Sequence, residues 1–267
     1  MRSWSTQRAP FVEPFSKEYV DRHRTLVSEA LATKALIHRF ARGRRLPRPY
    51  GVGMDERVVE YPWTFAQRPG GKVLDAGSAL NHAHILDEFL PTFEDLHVVT
   101  LAPETLSFTE RRISYVYSDL RDLPFRDAYY DTIISISTLE HVGMNTARYG
   151  AAPSTRGNPR DELRAAVREL KRVLSPGGLL LITVPYGIAG DHGWFRQFDH
   201  DGVQELIDAI APRELSIAVY AYSSEGWQVS SLAGSAGAKY QDPPPNADIA
   251  SDLAAAARAV VCVRALP

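Results

Sequence analysis

The sequence predicts an α/β protein: a doubly wound sheet of seven strands, the last antiparallel, with an N-terminal helical extension. Three observations predict it. From Gly71 onward, short runs rich in Val and Ile alternate with segments of helical periodicity. The runs are nearly continuous in apolar character, as strands covered on both faces should be. One helical segment, DELRAAVRELKRVL (161–174), ends at Ser175-Pro176-Gly177-Gly178, a strong stop signal before the next strand. Strand, helix and strand repeated with right-handed crossovers give a doubly wound sheet.

The elements follow in order. Between Ser16 and Phe40, Val20, Val27, Leu31, Ala35, Leu36 and Ile37 recur near helical spacing, which predicts an amphipathic helix. ARGRRLPRPYGVG then reads as a linker through its Gly and Pro residues, so a basic extension is expected over 1–52 and the main domain over 53–267. KVLDA (72–76), HVVTL (97–101), ISYVY (113–117), DTIISIS (131–137) and GLLLITV (178–184) are the first five strands. RELSIAVYAY (213–222) and RAVVCVRA (258–265) are two more, separated by a Gly/Ser/Pro-rich stretch, and are expected to pair antiparallel.

Composition narrows the function classes. Of 267 residues 45% are hydrophobic and 23% charged, an ordinary globular balance. Residues 1–50 hold nine Arg and two Lys against three Glu and one Asp, a net +7; the total of −2 leaves −9 on the remaining 217. An acidic main domain is a poor nucleic-acid surface, and no Asn-Pro-Pro-Tyr-like base-flipping motif is present. The single cysteine, Cys262, rules out an internal disulfide and reads as a small buried residue between Val261 and Val263. No N-terminal apolar segment or run of about 18 apolar residues occurs, so a cytoplasmic protein without a membrane span is expected. The histidines lack zinc spacing, and no metal is expected.

In an open α/β sheet, ligands bind beyond the carboxyl ends of the strands, where strand order reverses. After the first strand comes LDAGSALNH (74–82), an acid followed by Gly. Ala79 and Leu80 stand where a dinucleotide fingerprint needs more glycine, which argues against a nicotinamide-dependent oxidoreductase. After the third strand comes SDLRDLPFRDAYYD (118–131), and after the fourth STLEHVG (137–143), with Glu140 and His141 at the crevice mouth. After the fifth come VPYG (184–187) and DHGWFRQFDHDG (191–202), in which FDHDG reads as the capped start of a helix.

LDAGSALNH, YSDLRDLPF, YYDTIISISTLEHVG and ELKRVLSPGGLLLITVPYG, in this order, resemble the class I S-adenosylmethionine-dependent methyltransferases, nearest in pattern to the small-molecule type 11 group. The resemblance covers about residues 70–187 and implies a Rossmann-like sheet with S-adenosylmethionine as cofactor. It implies that the Asp75, Gly77 and Ser78 loop holds the methionine end of the cofactor, with Ser137 and Thr138 beside it. Asp119 matches the acid that bonds the adenine amino group, with Leu120 packing beside the ring. Thr100 and Leu101 stand where the family normally has an acid for the ribose hydroxyls, and Glu104 lies three residues on. That departure, and the glycine-poor loop with Ala79 and Asn81, keep an alternative open: a catalytically silent domain acting as a binding or regulatory partner.

Methyl transfer is an in-line displacement, and a hydroxyl acceptor also needs a base. His141 and Glu140 are the catalytic candidates by position, since histidine is the side chain that titrates near neutrality. Tyr186, His192, Trp194 and Arg148 are the candidates for acceptor binding. Tyr186, Trp194, Phe195, Phe198 and Trp227 follow strands, and aromatic faces there suit a sugar ring. Arg148, Arg156 and Arg160 lie in the 144–160 loop, where they suit an anionic group. The expected reaction is O-methylation of a sugar-like or secondary-metabolite acceptor by a monomer or homo-oligomer.

Overall fold

The computed structural model describes Glu13, residues 15–147 and 157–241, Ala254 and residues 256–267. In chain order the helices are α1 (Lys17–Ala32), α2 (Lys34–Ala41), α3 (Arg57–Ala66), α4 (Ala83–Phe89), α5 (Pro159–Val173), α6 (His200–Ile210) and α7 (Leu232–Ser235). The strands are β1 (Gly71–Ala76), β2 (Phe93–Thr100), β3 (Ile113–Tyr117), β4 (Tyr130–Ile136), β5 (Leu174–Pro185), β6 (Gly190–Asp191), β7 (Arg196–Gln197), β8 (Glu214–Ser223), β9 (Gly226–Ser230) and β10 (Ala259–Leu266). The main sheet among the described residues has the order β3-β2-β1-β4-β5-β10-β8-β9, and β6 and β7 form a separate hairpin. The sheet thus has eight strands where seven were expected; the addition is β9, antiparallel to β8 after a tight turn. Arg213 N–H donates to the Leu266 carbonyl and Tyr222 N–H to the Arg258 carbonyl, which sets β8 and β10 antiparallel, as expected.

The chain divides into two compact units. The first is drawn from Met1–Gln67, Pro185–Ile188 and Ala218–Val261, the second from Arg68–Val184, Ala189–Ile217 and Cys262–Pro267.

In the first unit the expected single helix over 16–40 is two. Ser16 caps α1 by accepting from Tyr19 N–H. At Thr33 the backbone turns extended, and its hydroxyl takes the Glu29 carbonyl at 2.6 Å, a local bond that competes with the helical ladder. Tyr19, Val27 and Leu31 are buried, whereas Val20, expected on the apolar face, is exposed. The segment read as a linker is packed instead, with Leu46 and Tyr50 buried, and Met54 just after it is buried too. Gln228 of β9 bonds both the N–H and the carbonyl of Leu46, and the Trp227 indole donates to the Met54 carbonyl at 3.0 Å. Gly226 (φ +93) permits this approach, since a Cβ there would lie 2.2 Å from the Tyr50 carbonyl oxygen. Helix α3 contains Pro62, which cannot donate to the Val58 carbonyl one turn back. The Tyr50 hydroxyl donates to that carbonyl instead, at 2.5 Å.

In the second unit β1 to β5 run parallel, β1 pairing with β2 and β4, β2 with β3, and β4 with β5. Val73, Leu74, Val98, Val99, Ile133, Ile134, Leu180 and Ile182 are buried, which explains the continuous apolar runs. Strand order reverses between β1 and β4, so the ends of these two strands define the crevice. Asp131 holds the start of the pair: its Oδ2 accepts from Lys72 N–H at 2.9 Å. Asn158 caps α5, whose apolar stripe Leu163, Ala166, Val167, Leu170 and Val173 is buried. Asp199 caps α6 through Gly202 N–H, the capping read from FDHDG.

Candidate active site

The site is built in the second unit, where β1 and β4 end. The buried Asp75 carboxylate accepts from Ala79 N–H at 3.1 Å (Oδ1) and Leu80 N–H at 2.8 Å (Oδ2), which curls the loop after β1. Gly77 sits at φ +124 against Thr138; a Cβ would fall 2.0 Å from Thr138 Oγ1, so only glycine lets the two strand ends meet. Ser78 has φ +64, and its buried hydroxyl has no hydrogen-bond partner among the described residues. Across the gap, Ser137 (φ +40) donates its N–H to the Thr183 carbonyl at 3.0 Å, and Thr138 Oγ1 donates to the Ile136 carbonyl. Positive φ at Ser78 and Ser137 is backbone strain gathered at the two strand ends. Asp75, Gly77, Ser78, Ser137 and Thr138 are therefore brought together.

The end of β2 is arranged differently from the family pattern. Thr100 accepts from Ser118 N–H through its carbonyl, and Leu101 is exposed. Glu104 is held to the loop after β1: its Oε2 accepts from Asn81 Nδ2 at 2.9 Å. Asn81 is buried, also donating to the Leu106 carbonyl and accepting from the Tyr115 hydroxyl at 2.8 Å. Burial, and then the acids around it, push the Tyr115 hydroxyl up from its ordinary pKa, which keeps it a donor.

At the end of β3, Asp119 is paired with Arg121, Nε on Oδ1 at 2.8 Å and Nη2 on Oδ2. Arg121 Nη1 also bonds Glu162 of α5 at 2.6 Å. Leu120 is buried beside this network. The Leu123-Pro124-Phe125 turn is clamped from α5: Leu123 N–H donates to Glu169, and Arg172 donates to the carbonyls of Leu123 and Phe125. These bonds hold the turn against α5.

After β4 the chain makes a 3-10 turn, Leu139–His141. His141 Nδ1 lies 2.9 Å from the Trp194 carbonyl, and its ring stacks on the Trp194 indole at 5.1 Å between centroids. A carbonyl only accepts, so Nδ1 carries the proton and the lone pair of the neutral ring lies on Nε2. The buried Glu140 carboxylate is 3.9 Å from Nε2. Trp194 belongs to the loop of the β6–β7 hairpin, where His192 stacks on Phe195 at 4.4 Å. Asn145 N–H pins the loop by donating to the Gly193 carbonyl at 3.1 Å. His141, Glu140, His192 and Trp194 thus form one cluster.

Two of the expected acceptor contacts belong to the first unit. Tyr186 is buried in the first unit, donating its hydroxyl to the Leu232 carbonyl at 3.0 Å, and Trp227 is fixed there by Met54. In each the polar atom of the ring donates to a backbone carbonyl. Arg148 and Arg156 lie outside the described residues. Arg160 pairs with Glu205 at 3.1 Å. The sequence reading passed over Arg196; its signal is an arginine set among Phe195 and Phe198 in a short hairpin.

Residues 74–182 match the family model described as methyltransferase domain. Among solved structures, the chain is similar to a possible histamine N-methyltransferase from Thermotoga maritima, at 11% identity over 91% of this chain and 99% of that one, TM-score 0.48. It is also similar to Burkholderia thailandensis 1,6-didemethyltoxoflavin-N1-methyltransferase with bound 1,6-didemethyltoxoflavin and S-adenosylhomocysteine, at 16% identity, 97% and 93% coverage, TM-score 0.45. The N-methyltransferase NodS of Bradyrhizobium japonicum, in complex with S-adenosylhomocysteine, matches at 13% identity, 96% and 89% coverage, TM-score 0.42. The family's cofactor is S-adenosylmethionine. The residues present fit it, since the buried, unpartnered Ser78 hydroxyl at the switch point is a polar contact waiting for a polar ligand. The matched residues run from β1 through most of β5 and take in the strand-end loops of the site, so this segment of the chain is similar to a methyltransferase domain.

Proposed function

We propose that the protein methylates a hydroxyl oxygen of a small acceptor, sugar-like or a secondary metabolite, with His141 as general base. The observation that carries this reading is the Trp194 carbonyl on His141 Nδ1, which fixes the tautomer with its lone pair on Nε2. S-adenosylmethionine supplies an electrophilic methyl on a sulfonium. The loop held by Asp75, with Ser78, Ser137 and Thr138, is the proposed seat of its methionine end. Asp119 and Leu120 are the proposed adenine contacts, and Glu104 the proposed substitute for the ribose acid. Nε2 of His141 is the atom placed to take the proton that an acceptor hydroxyl would lose on methylation. Glu140, 3.9 Å from Nε2, stabilises the imidazolium that forms. The Trp194 and His192 faces suit the flat side of a sugar ring.

The engagement of Asp119 by Arg121 favours a second reading, the silent domain, because it gives the expected adenine acid a full set of donors within the protein. Calorimetric titration with S-adenosylmethionine and S-adenosylhomocysteine separates the two: micromolar binding is expected, and none in a folded sample refutes the enzyme. A methyl-transfer assay on hydroxylated acceptors follows. His141→Gln is expected to lower turnover by roughly 100-fold or more, the scale of general-base catalysis, at unchanged S-adenosylhomocysteine affinity. Equal turnover overturns the assignment.

A further inference from the structure

A cavity of about 340 Å³ lies in the second unit where the chain beyond the 3-10 turn, the start of α5, the β6–β7 hairpin and the first turn of α6 converge, with Met144, Arg160, Arg196 and Phe198 among its walls. That volume is at the small end of ligand pockets. Arg196 is the unusual member. Its guanidinium lies over the Phe198 ring, 4.9 Å from the centroid, and its Nε and Nη2 are both buried with no acceptor among the described residues. Arginine keeps its proton in proteins, so one edge of a cation stands withdrawn from water without its hydrogen bonds. Burial pushes the group below its ordinary pKa, while Glu205 and Glu140 act in the opposite sense.

The two unsatisfied atoms are informative as a pair. Nε–H and the adjacent Nη2–H point in parallel from one edge of the guanidinium, the fork that meets the two oxygens of a carboxylate or phosphate. The carboxylates in the cavity wall each have a donor elsewhere. Glu205 pairs with Arg160 at 3.1 Å, Asp199 Oδ1 accepts from Gly202 N–H, and Asp191 Oδ1 accepts from Gly193 N–H at 2.7 Å. The neighbouring residue in the hairpin, Phe195, has its ring 6.0 Å from that of His141, so the cavity adjoins the cluster around the histidine.

We propose that Arg196 is the anchor for an anionic group, a carboxylate or a phosphate, on the small molecule this site takes. Rotation about the outer torsions of the side chain turns the Nε–Nη2 edge to the cavity, and the anion gives it the acceptors the protein withholds. That the anion belongs to a methyl acceptor rests on the proposed function; the anion site itself does not.

The test uses the full chain with glucuronate and glucose 6-phosphate as probes and methyl glucoside as the neutral control, titrated with and without S-adenosylhomocysteine. At least one anionic probe is expected to bind about tenfold or more tightly than the control, and the stronger of the two identifies carboxylate or phosphate. Arg196→Met is expected to abolish that preference, and Arg196→Lys to retain part of it, a charge without the fork. S-adenosylhomocysteine affinity, unchanged in both variants, reports that the fold is intact; where Arg196→Met loses it, Arg196→Lys decides. Equal binding of neutral and anionic probes, no binding of either anion, or a preference that survives Arg196 replacement overturns the proposal. Arginine-dependent anion binding without any S-adenosylhomocysteine binding keeps the anion site and refutes the methyl-transfer reading.

Discussion

Tyr50→Phe tests how the first unit tolerates a proline inside a helix. Pro62 lacks the N–H that would meet the Val58 carbonyl, and Tyr50 supplies the replacement donor at 2.5 Å from a wholly buried position. Phenylalanine keeps the ring and removes only the donor, leaving one buried carbonyl unsatisfied. That costs about 1–3 kcal/mol. For a protein of this size each kcal/mol lowers the melting temperature by roughly 2–4 °C. Denaturant unfolding of four proteins closes the cycle: wild type, Tyr50→Phe, Pro62→Ala and the double variant. Alanine at 62 restores an N–H to the Val58 carbonyl, so Tyr50→Phe is expected to cost well under about 1 kcal/mol in that background, a coupling of about 1–2 kcal/mol. The same cost in both backgrounds would refute the reasoning, since the hydroxyl would then act elsewhere than on the carbonyl that Pro62 abandons.

Two further predictions concern pH and the strand-end loop. Burial, and then the neighbouring Asp55 and Glu60, push Glu56 up to about 8, so the folded chain holds a proton there that the unfolded chain releases near pH 4.5. Its contribution to stability is complete below the unfolded value and is lost as pH rises through about 8; Glu56→Gln is expected to flatten the decline between pH 5 and 8, and parallel curves for the two proteins would exclude Glu56. Gly77→Ala places a Cβ 2.0 Å from Thr138 Oγ1 at φ +124, so S-adenosylhomocysteine titration is expected to show at least about tenfold weaker binding; retained affinity would detach this loop from the cofactor.

Local pattern made the parallel half legible. The first five strands are legible as continuous apolar runs, because burial on both faces leaves a signal in consecutive residues, and α5 as a helical segment before the Ser175-Pro176-Gly177-Gly178 stop. The misses are long-range. Nothing local in GWQVS marks β9; its place comes from Tyr50, Met54 and Leu46, more than 170 residues away in sequence. Nothing local splits the first helix except a threonine whose hydroxyl takes the Glu29 carbonyl. At the site, Asp75, Gly77 and His141 were readable from their positions after strands. The proton on His141 Nδ1 was not, since it is set by a carbonyl 53 residues on. Arg196 is the same kind of case, for the burial of Nε and Nη2 without an acceptor among the described residues belongs to the folded chain alone.

The departures from the family pattern become coherent when taken together. The second strand ends without an acid, yet Asn81, in the loop after the first, draws Glu104 to its side at 2.9 Å and is itself held by Tyr115. A small residue at position 81 would leave Glu104 with no such tether. Asn81 and Glu104 are therefore one arrangement: a carboxylate on the loop after β2, fixed there by an amide. The consequence is testable by removing the amide while keeping the acid. If Glu104 serves the ribose in the proposed reading, Asn81→Ala weakens S-adenosylhomocysteine binding by loosening a residue it leaves intact, and Glu104→Gln weakens it further by removing the charge. Were Glu104 only a structural partner of Asn81, both variants would lower stability and leave the affinity of the folded protein as it was.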